Sequence, residues 1–88
     1  MADLSERALA QLGDRIAPGD RDILERMLRY FDRSSLWLAR AEGSGEDLVL
    51  YLANEAERFR LPLATLRALY QGMKQGRAVD WDNLERIR

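Results

Sequence analysis

The longest amphipathic pattern in the chain runs from Asp20 to Glu42. Read at 3.6 residues per turn, it puts apolar side chains on two adjacent stripes and charged side chains on the opposite side. The stripes are Leu24, Leu28, Phe31, Ser35 and Leu38, and next to them Ile23, Met27, Tyr30, Ser34, Trp37 and Ala41. Asp20 is suited to cap a helix and Gly43 to end one. The pattern predicts one helix over residues 20–42, about 34 Å long.

Part of this stretch also allows a β-hairpin. Its strands would be residues 35–41 and 47–53, joined by residues 42–46 with their two glycines. Neither flank alternates cleanly between apolar and polar residues, and the second is rich in alanine beyond residue 52. The helix is therefore the favoured interpretation, and the hairpin stays an alternative.

Shorter helices are predicted around the long one. Their ranges are 3–16, 44–60, 62–75 and a short final helix from residue 80. Asp3 or Ser5 can cap the first, and residues 44–47 have capping-box spacing. Pro62 suits the start of the third of these helices and Gly76 its end. The predicted fold class is thus all-α, a small bundle of four to five helices packed on the long second helix.

Composition and charge narrow the class of protein. With 88 residues the chain is predicted to be one helical domain, 1–88. A hydrophobic content of 47% and a charged content of 33% are typical of a globular chain, and the net charge of −1 attracts no particular partner. The longest apolar run is 48–53, too short to span a membrane, and the N-terminus has no signal pattern. We expect a cytoplasmic protein without a membrane partner.

The side chains offer little for catalysis. The sequence contains no histidine and no cysteine, so the commonest general base, metal ligand and activated nucleophile are missing. Glu55 and Glu57 diverge on the predicted helix, and Asp80 and Asp82 resemble a helix start. The segment 43–45 lacks the remainder of a phosphate-binding loop. We expect no enzyme activity, no catalytic residue, no cofactor, no metal site and no small-molecule substrate.

Residues 52–69 carry one motif-level resemblance. Ala56, the following 59–62 segment, and Thr65 with Leu66 resemble a helix-turn-helix, in which a small residue packs between two helices. The fragment 61–66 is similar to the start of recognition helices in bacterial regulators. The resemblance implies a DNA-binding transcriptional regulator that uses residues 52–75.

The charge pattern gives this resemblance some support. Residues 58–77 contain five basic side chains and no acidic one, and such a patch can contact phosphates. The candidate DNA-binding residues are Arg58, Arg60, Arg67, Gln71, Lys74 and Arg77. The alternative interpretation is a solvated helix face, because runs of charge are usually exposed to water.

Aromatic and aliphatic side chains point instead to a protein partner. Trp37 shares a stripe with Tyr30. Leu50 and Tyr51 give the helix predicted over 44–60 apolar side chains on more sides than a small bundle can bury. Trp, Tyr and Arg dominate binding energy at many interfaces. The favoured function is a non-enzymatic interaction module of a regulator or adaptor type, acting as a homodimer or with another protein. The candidate interface residues are Trp37, Leu50 and Tyr51.

Overall fold

The chain combines helices with a β-sheet, so the predicted all-α bundle on a long second helix is wrong. A computed structural model describes residues 2–77 and 84–87. These residues form three α-helices, two short 3-10 helices and a four-stranded antiparallel sheet. The helices are α1 (Ala2–Leu12), α2 (Pro18–Arg33) and α3 (Leu63–Lys74). The strands are β1 (Trp37–Glu42), β2 (Val49–Ala53), β3 (Arg58–Pro62) and β4 (Glu85–Ile87), adjacent in that order.

The predicted helix over residues 20–42 is wrong because α2 ends at Arg33. Ser35 adopts the left-handed conformation, with a φ of 62°. Its N–H donates to the carbonyl of Asp32 (3.0 Å). The N–H of Leu36 donates to the carbonyl of Phe31 (2.9 Å). These two bonds are those of a Schellman motif, which satisfies the last carbonyls of a helix and turns the chain away from its axis.

The alternative β-hairpin is confirmed in its main feature. Strands β1 and β2 are antiparallel neighbours, close to the two ranges that the alternative expected. A 3-10 helix (Gly45–Asp47) lies in the connection between them. At Gly43 the φ is 77°, and a Cβ atom would come within 2.7 Å of the carbonyl oxygen of Asp47. This position therefore requires glycine.

A β-bulge interrupts the pairing of β1 with β2. Leu38 pairs with Leu52, and Arg40 pairs with Tyr51, so Ala39 is an extra residue in β1. Beyond an extra residue, each side chain of the strand faces the side opposite to the one that regular alternation would give it. Leu38 faces the core before the bulge, and Arg40 faces away from it after the bulge.

The segment 52–69 is not a helix-turn-helix. It contains the end of β2, all of β3 and the start of α3, so the helix predicted over 44–60 is also wrong. A tight turn joins β2 to β3, in which Asn54 Oδ1 accepts from the N–H groups of Ala56 (2.8 Å) and Glu57 (2.6 Å). An asparagine side chain that bonds the backbone just ahead of it favours a turn over a helix.

Two predicted helices are confirmed with small changes of range. The first ends at Leu12, and a 3-10 helix (Gly13–Arg15) follows it. Helix α3 ends at Lys74, and Gly76, two residues later, has a φ of 85°, as expected for a glycine that ends a helix. The final predicted helix falls partly on residues 78–83, outside the described residues. Its last part is wrong, because Glu85–Ile87 pairs with β3 as β4.

One hydrophobic core lies between the helices and one face of the sheet, which we call the inner face. The inner face contributes Leu38, Leu50, Leu52, Phe59 and Leu61. The α-helices contribute Ala8, Leu12, Leu24, Met27, Phe31, Leu63 and Leu66. Burial of each large apolar side chain is worth about 1.5–3 kcal/mol relative to exposure. In the described part of the chain, no helix is long and apolar enough to cross a membrane.

The left-handed conformation of Ser35 leads to a first prediction. Ser35→Gly should raise the free energy of unfolding by about 0.5–1 kcal/mol, because glycine adopts a positive φ without the steric cost of a Cβ atom. Ser35→Val should lower it, since a β-branched residue fits this conformation poorly. Urea unfolding followed by circular dichroism measures both changes. Equal stability of the glycine and valine variants would contradict the left-handed turn.

Candidate interaction surface

The sheet has a second face that is separate from the core, and we call it the open face. It carries Trp37, Arg40, Glu42, Val49, Tyr51, Ala53, Arg58, Arg60, Pro62, Glu85 and Ile87. None of its apolar residues belongs to the core cluster, whereas every buried residue of the α-helices does, over the residues whose side chains are described. The helices therefore lie on the inner face.

One row of side chains crosses the open face over all four strands. Arg40 of β1 is in register with Tyr51 of β2, then Arg60 of β3, then Glu85 of β4. The guanidinium carbon of Arg40 lies 4.1 Å from the centroid of the Tyr51 ring, a cation–π contact. Arg60 Nη1 donates to Glu85 Oε2 at 3.0 Å. These neighbours hold two long arginine side chains in place along the row.

Glu42 extends the row along β1. Its carboxylate forms an ion pair with Arg40 and accepts a hydrogen bond from the Tyr51 hydroxyl at 3.2 Å. The hydrogen bond from Arg40 lowers the pKa of Glu42 below its usual value of 4.5. The hydrogen bond to Glu85 raises the pKa of Arg60. At neutral pH the open face therefore presents fixed charges of both signs.

Apolar side chains flank the charged row on both sides. On one side, Trp37 of β1 is in register with Ala53 of β2, and through Arg58 of β3 with Ile87 of β4. On the other side, Val49 is in register with Pro62. Trp37, Val49, Pro62 and Ile87 are half-buried. Apolar positions on both sides of a charged row give the open face the mixed chemistry of protein interfaces.

A cleft of about 630 Å³ opens beside Trp37 at the end of the sheet. It is lined by Asp32, Ser35, Leu36, Trp37, Asn54, Glu55 and Ala56. These residues come from the end of α2, the start of β1 and the β2–β3 turn. The cleft extends the surface around Trp37 beyond the edge of the strands.

The three candidate interface residues lie on different faces of the sheet. Trp37 and Tyr51 lie on the open face, where each is half-buried. Leu50 lies on the inner face with no exposed surface, so it is a core residue. Arg40 and Glu85 were not among the predicted interface residues. Their place in one row follows from the strand register, which the sequence alone does not give.

The candidate DNA-binding residues divide between two parts of the fold. Arg58 and Arg60 lie on the open face. Arg67, Gln71 and Lys74 lie on α3, with Arg77 directly after it. The Lys74 ammonium lies 5.4 Å from the centroid of the Tyr70 ring. They therefore do not form one recognition helix beside a turn.

Arg67 is held by two carboxylates from distant parts of the chain. Its Nε and Nη2 donate to Asp20 at 2.8 and 2.7 Å, and its Nη1 and Nη2 donate to Glu46 at 2.8 and 3.0 Å. We call this the Arg67 clasp. It joins α3 to the first turn of α2 and to the 3-10 helix before β2. Asp20, expected as a helix cap, instead binds Arg67.

The Arg67 clasp shifts the pKa values of the three side chains that form it. The hydrogen bond from Arg67 lowers the pKa of Asp20 from 3.8 and that of Glu46 from 4.5, and both carboxylates raise the pKa of Arg67. Asp20 is the least exposed partner, with 12% of its side chain accessible. A carboxylate whose pKa is lowered by folding stabilises the protein above its unfolded pKa. That contribution disappears as the pH falls through the lowered value.

These shifts give a second prediction, on acid stability. Arg67→Gln should be less stable than the wild type at pH 7, and the difference should shrink towards pH 3 as Asp20 and Glu46 become protonated. Urea unfolding at the two pH values measures it. Arg26→Gln is the matched control, because the Arg26–Asp22 pair is exposed at 61% on both sides and should contribute little. A difference of the same size at both pH values would contradict a role for the clasp.

Comparison with known proteins gives no match. No protein-family model, no curated protein and no solved structure matches this chain. A function can therefore be inferred only from the contacts and chemistry of the described residues.

Proposed function

We propose that this chain is a non-enzymatic protein-interaction module that binds its partner through the open face of the sheet. The observation that supports this most directly is the row of Arg40, Tyr51, Arg60 and Glu85 with apolar residues on both sides. Tryptophan, tyrosine and arginine are the residues that most often dominate binding at protein interfaces. A contiguous surface that combines them suits a partner of matching shape and charge.

The contacts within the open face also favour binding. Arg40 is held by Tyr51 and Glu42, and Arg60 is held by Glu85. Arginine side chains that are already ordered lose less conformational entropy when a partner arrives. Fixed charges of both signs then select a partner with the opposite arrangement. A regulatory or adaptor role in the cytoplasm agrees with these properties and stays a prediction.

An enzyme is a weaker alternative for this chain. The sequence has no histidine or cysteine, and the described residues contain no group of three or more side chains able to hold a metal ion. Asp20, Glu42 and Glu46 each accept a hydrogen bond from an arginine that lowers the pKa of the carboxyl group, which keeps it charged. A general acid at neutral pH needs the opposite shift.

Binding to duplex DNA is the other alternative, and we expect it to be absent. Arg67, a candidate base reader on the predicted recognition helix, has its guanidinium engaged by two carboxylates. Fluorescence anisotropy with a labelled duplex at low salt, where phosphate contacts are strongest, provides the measurement. Tight, salt-sensitive binding that Arg58→Ala and Arg60→Ala weaken would favour DNA over a protein partner.

Photo-crosslinking tests the proposed interaction surface. Arg58, which is exposed on the open face, is replaced by p-benzoylphenylalanine in the full chain expressed in its native host. We expect one discrete protein adduct, identified by mass spectrometry. The same replacement at Arg29, exposed on α2, should give none. Adding Tyr51→Glu to the Arg58 chain should remove the adduct, because a carboxylate there repels Glu42 and deletes the aromatic contact.

The controls make this test specific. Circular dichroism establishes that the Tyr51→Glu chain keeps its fold. Adducts of equal yield at the two positions, or an adduct at position 58 that Tyr51→Glu leaves unchanged, would overturn the proposal. The mass of the adduct also separates a second copy of this chain from a different protein.

A further inference from the structure

We propose that the partner is a second copy of this chain, packed sheet against sheet about a twofold axis parallel to the strands and between β2 and β3. This inference rests on the proposed function, since it names the partner for the open face. It follows from the strand order and register, which make the charges of the open face complementary to themselves.

The proposed axis exchanges the outer strands and the inner strands. A residue of β1 then opposes β4 of the second copy at the same level, and β2 opposes β3. In the charged row, Arg40 faces Glu85 of the second copy, and Tyr51 faces Arg60 of the second copy. Both pairings occur twice in the dimer, as a twofold axis requires. The first is an ion pair and the second a cation–π contact.

The apolar flanks agree with the same axis. Trp37 faces Ile87 of the second copy, and Val49 faces Pro62 of the second copy. Ala53, a small residue that is already buried within its own chain, lies opposite Arg58 of the second copy. Apolar residues therefore lie on both sides of the charged row in the dimer, beside Arg58 and Glu42, and limit the access of water to it, as residues around the dominant contacts of an interface usually do.

The other face-to-face twofold axis runs across the strands and is unfavourable. It places every residue of the charged row against its own copy, so Arg40 meets Arg40, Arg60 meets Arg60 and Glu85 meets Glu85. Like charges directly opposite each other cost several kcal/mol in general. The order of charges along the row thus selects one axis.

The side chains of the row are able to reach across the interface. Packed sheets lie about 10 Å apart, a distance that an arginine and a glutamate span together. Arg40 and Glu85 have 59% and 60% of their side chains exposed. Arg40 uses Nη1 for Glu42, and Glu85 uses Oε2 for Arg60, which leaves donors on Arg40 and the second oxygen of Glu85 for the new pair.

Charge reversal tests the proposed pairing. Wild-type protein should dimerise at micromolar concentration in sedimentation equilibrium. Arg40→Glu alone and Glu85→Arg alone should each weaken the dimer at least about tenfold, because each creates two like-charge contacts. An equimolar mixture of the two variants should recover the dimer, since both contacts between unlike chains are again of opposite charge. No contact within one chain is restored by mixing, so only a contact between chains explains recovery.

A second measurement does not depend on charge. The chain has no cysteine, so Arg40→Cys and Glu85→Cys can be joined selectively by a bis-maleimide of about 10 Å. The mixture of these variants should give a covalent dimer. Arg40→Cys alone should give little, because three strand spacings of about 4.8 Å separate the two copies of position 40 laterally.

Each outcome decides the inference. Recovery on mixing, with cross-linking between positions 40 and 85, supports the proposed axis. Efficient cross-linking of Arg40→Cys alone, or a charge-reversed mixture that stays monomeric, overturns it. A wild type that remains a single species of 10.2 kDa overturns the homodimer. The adduct at position 58 would then still report whether the open face binds a different protein.

Discussion

The apolar layer between the sheet and the helices is the interaction on which the rest of the structure depends. Leu50, Leu52 and Leu61 are completely buried there against side chains of all three α-helices. Because alternate residues of a strand point to opposite faces, burying these leucines sends Tyr51 and Arg60 to the other side of the sheet. The surface proposed to bind a partner is therefore a geometric consequence of how the core forms.

Helices α1 and α3 were predictable because their signals are local. In α3 the apolar spacing, Pro62 at the start and Gly76 at the end agree with one another. The end of α2 was missed because serine, not glycine, occupies the left-handed position at Ser35. Beyond that residue Trp37, Leu38 and Ala41 happen to continue the helical spacing. Their pattern fits a helix by itself, and only long-range pairing with β2 decides otherwise.

The strands could not be predicted firmly from the sequence pattern for a different reason, which is the lack of alternation between apolar and polar residues. In β2 the outward Val49 and Tyr51 are apolar or aromatic, so the segment has no polar alternation to reveal it. The candidate site could be predicted only in part. Trp37 and Tyr51 were predicted because their residue types are typical of interfaces, whereas Glu85 joins the charged row only through its register with Arg60. The Arg67 clasp likewise joins three residues far apart in sequence, which no local pattern indicates.

The bulge at Ala39 determines which side chains of β1 belong to the open face. If the present residues of β1 alternated regularly from Trp37 without a bulge, the side chains of Arg40 and Glu42 would turn towards the apolar layer. Point substitutions on the open face alter its chemistry one position at a time. A single-codon deletion at position 39 would instead remove the bulge and leave Arg40 and Glu42 paired with β2 on the open face. During divergence, loss of Ala39 should therefore be tolerated far better than loss of a paired residue of β1.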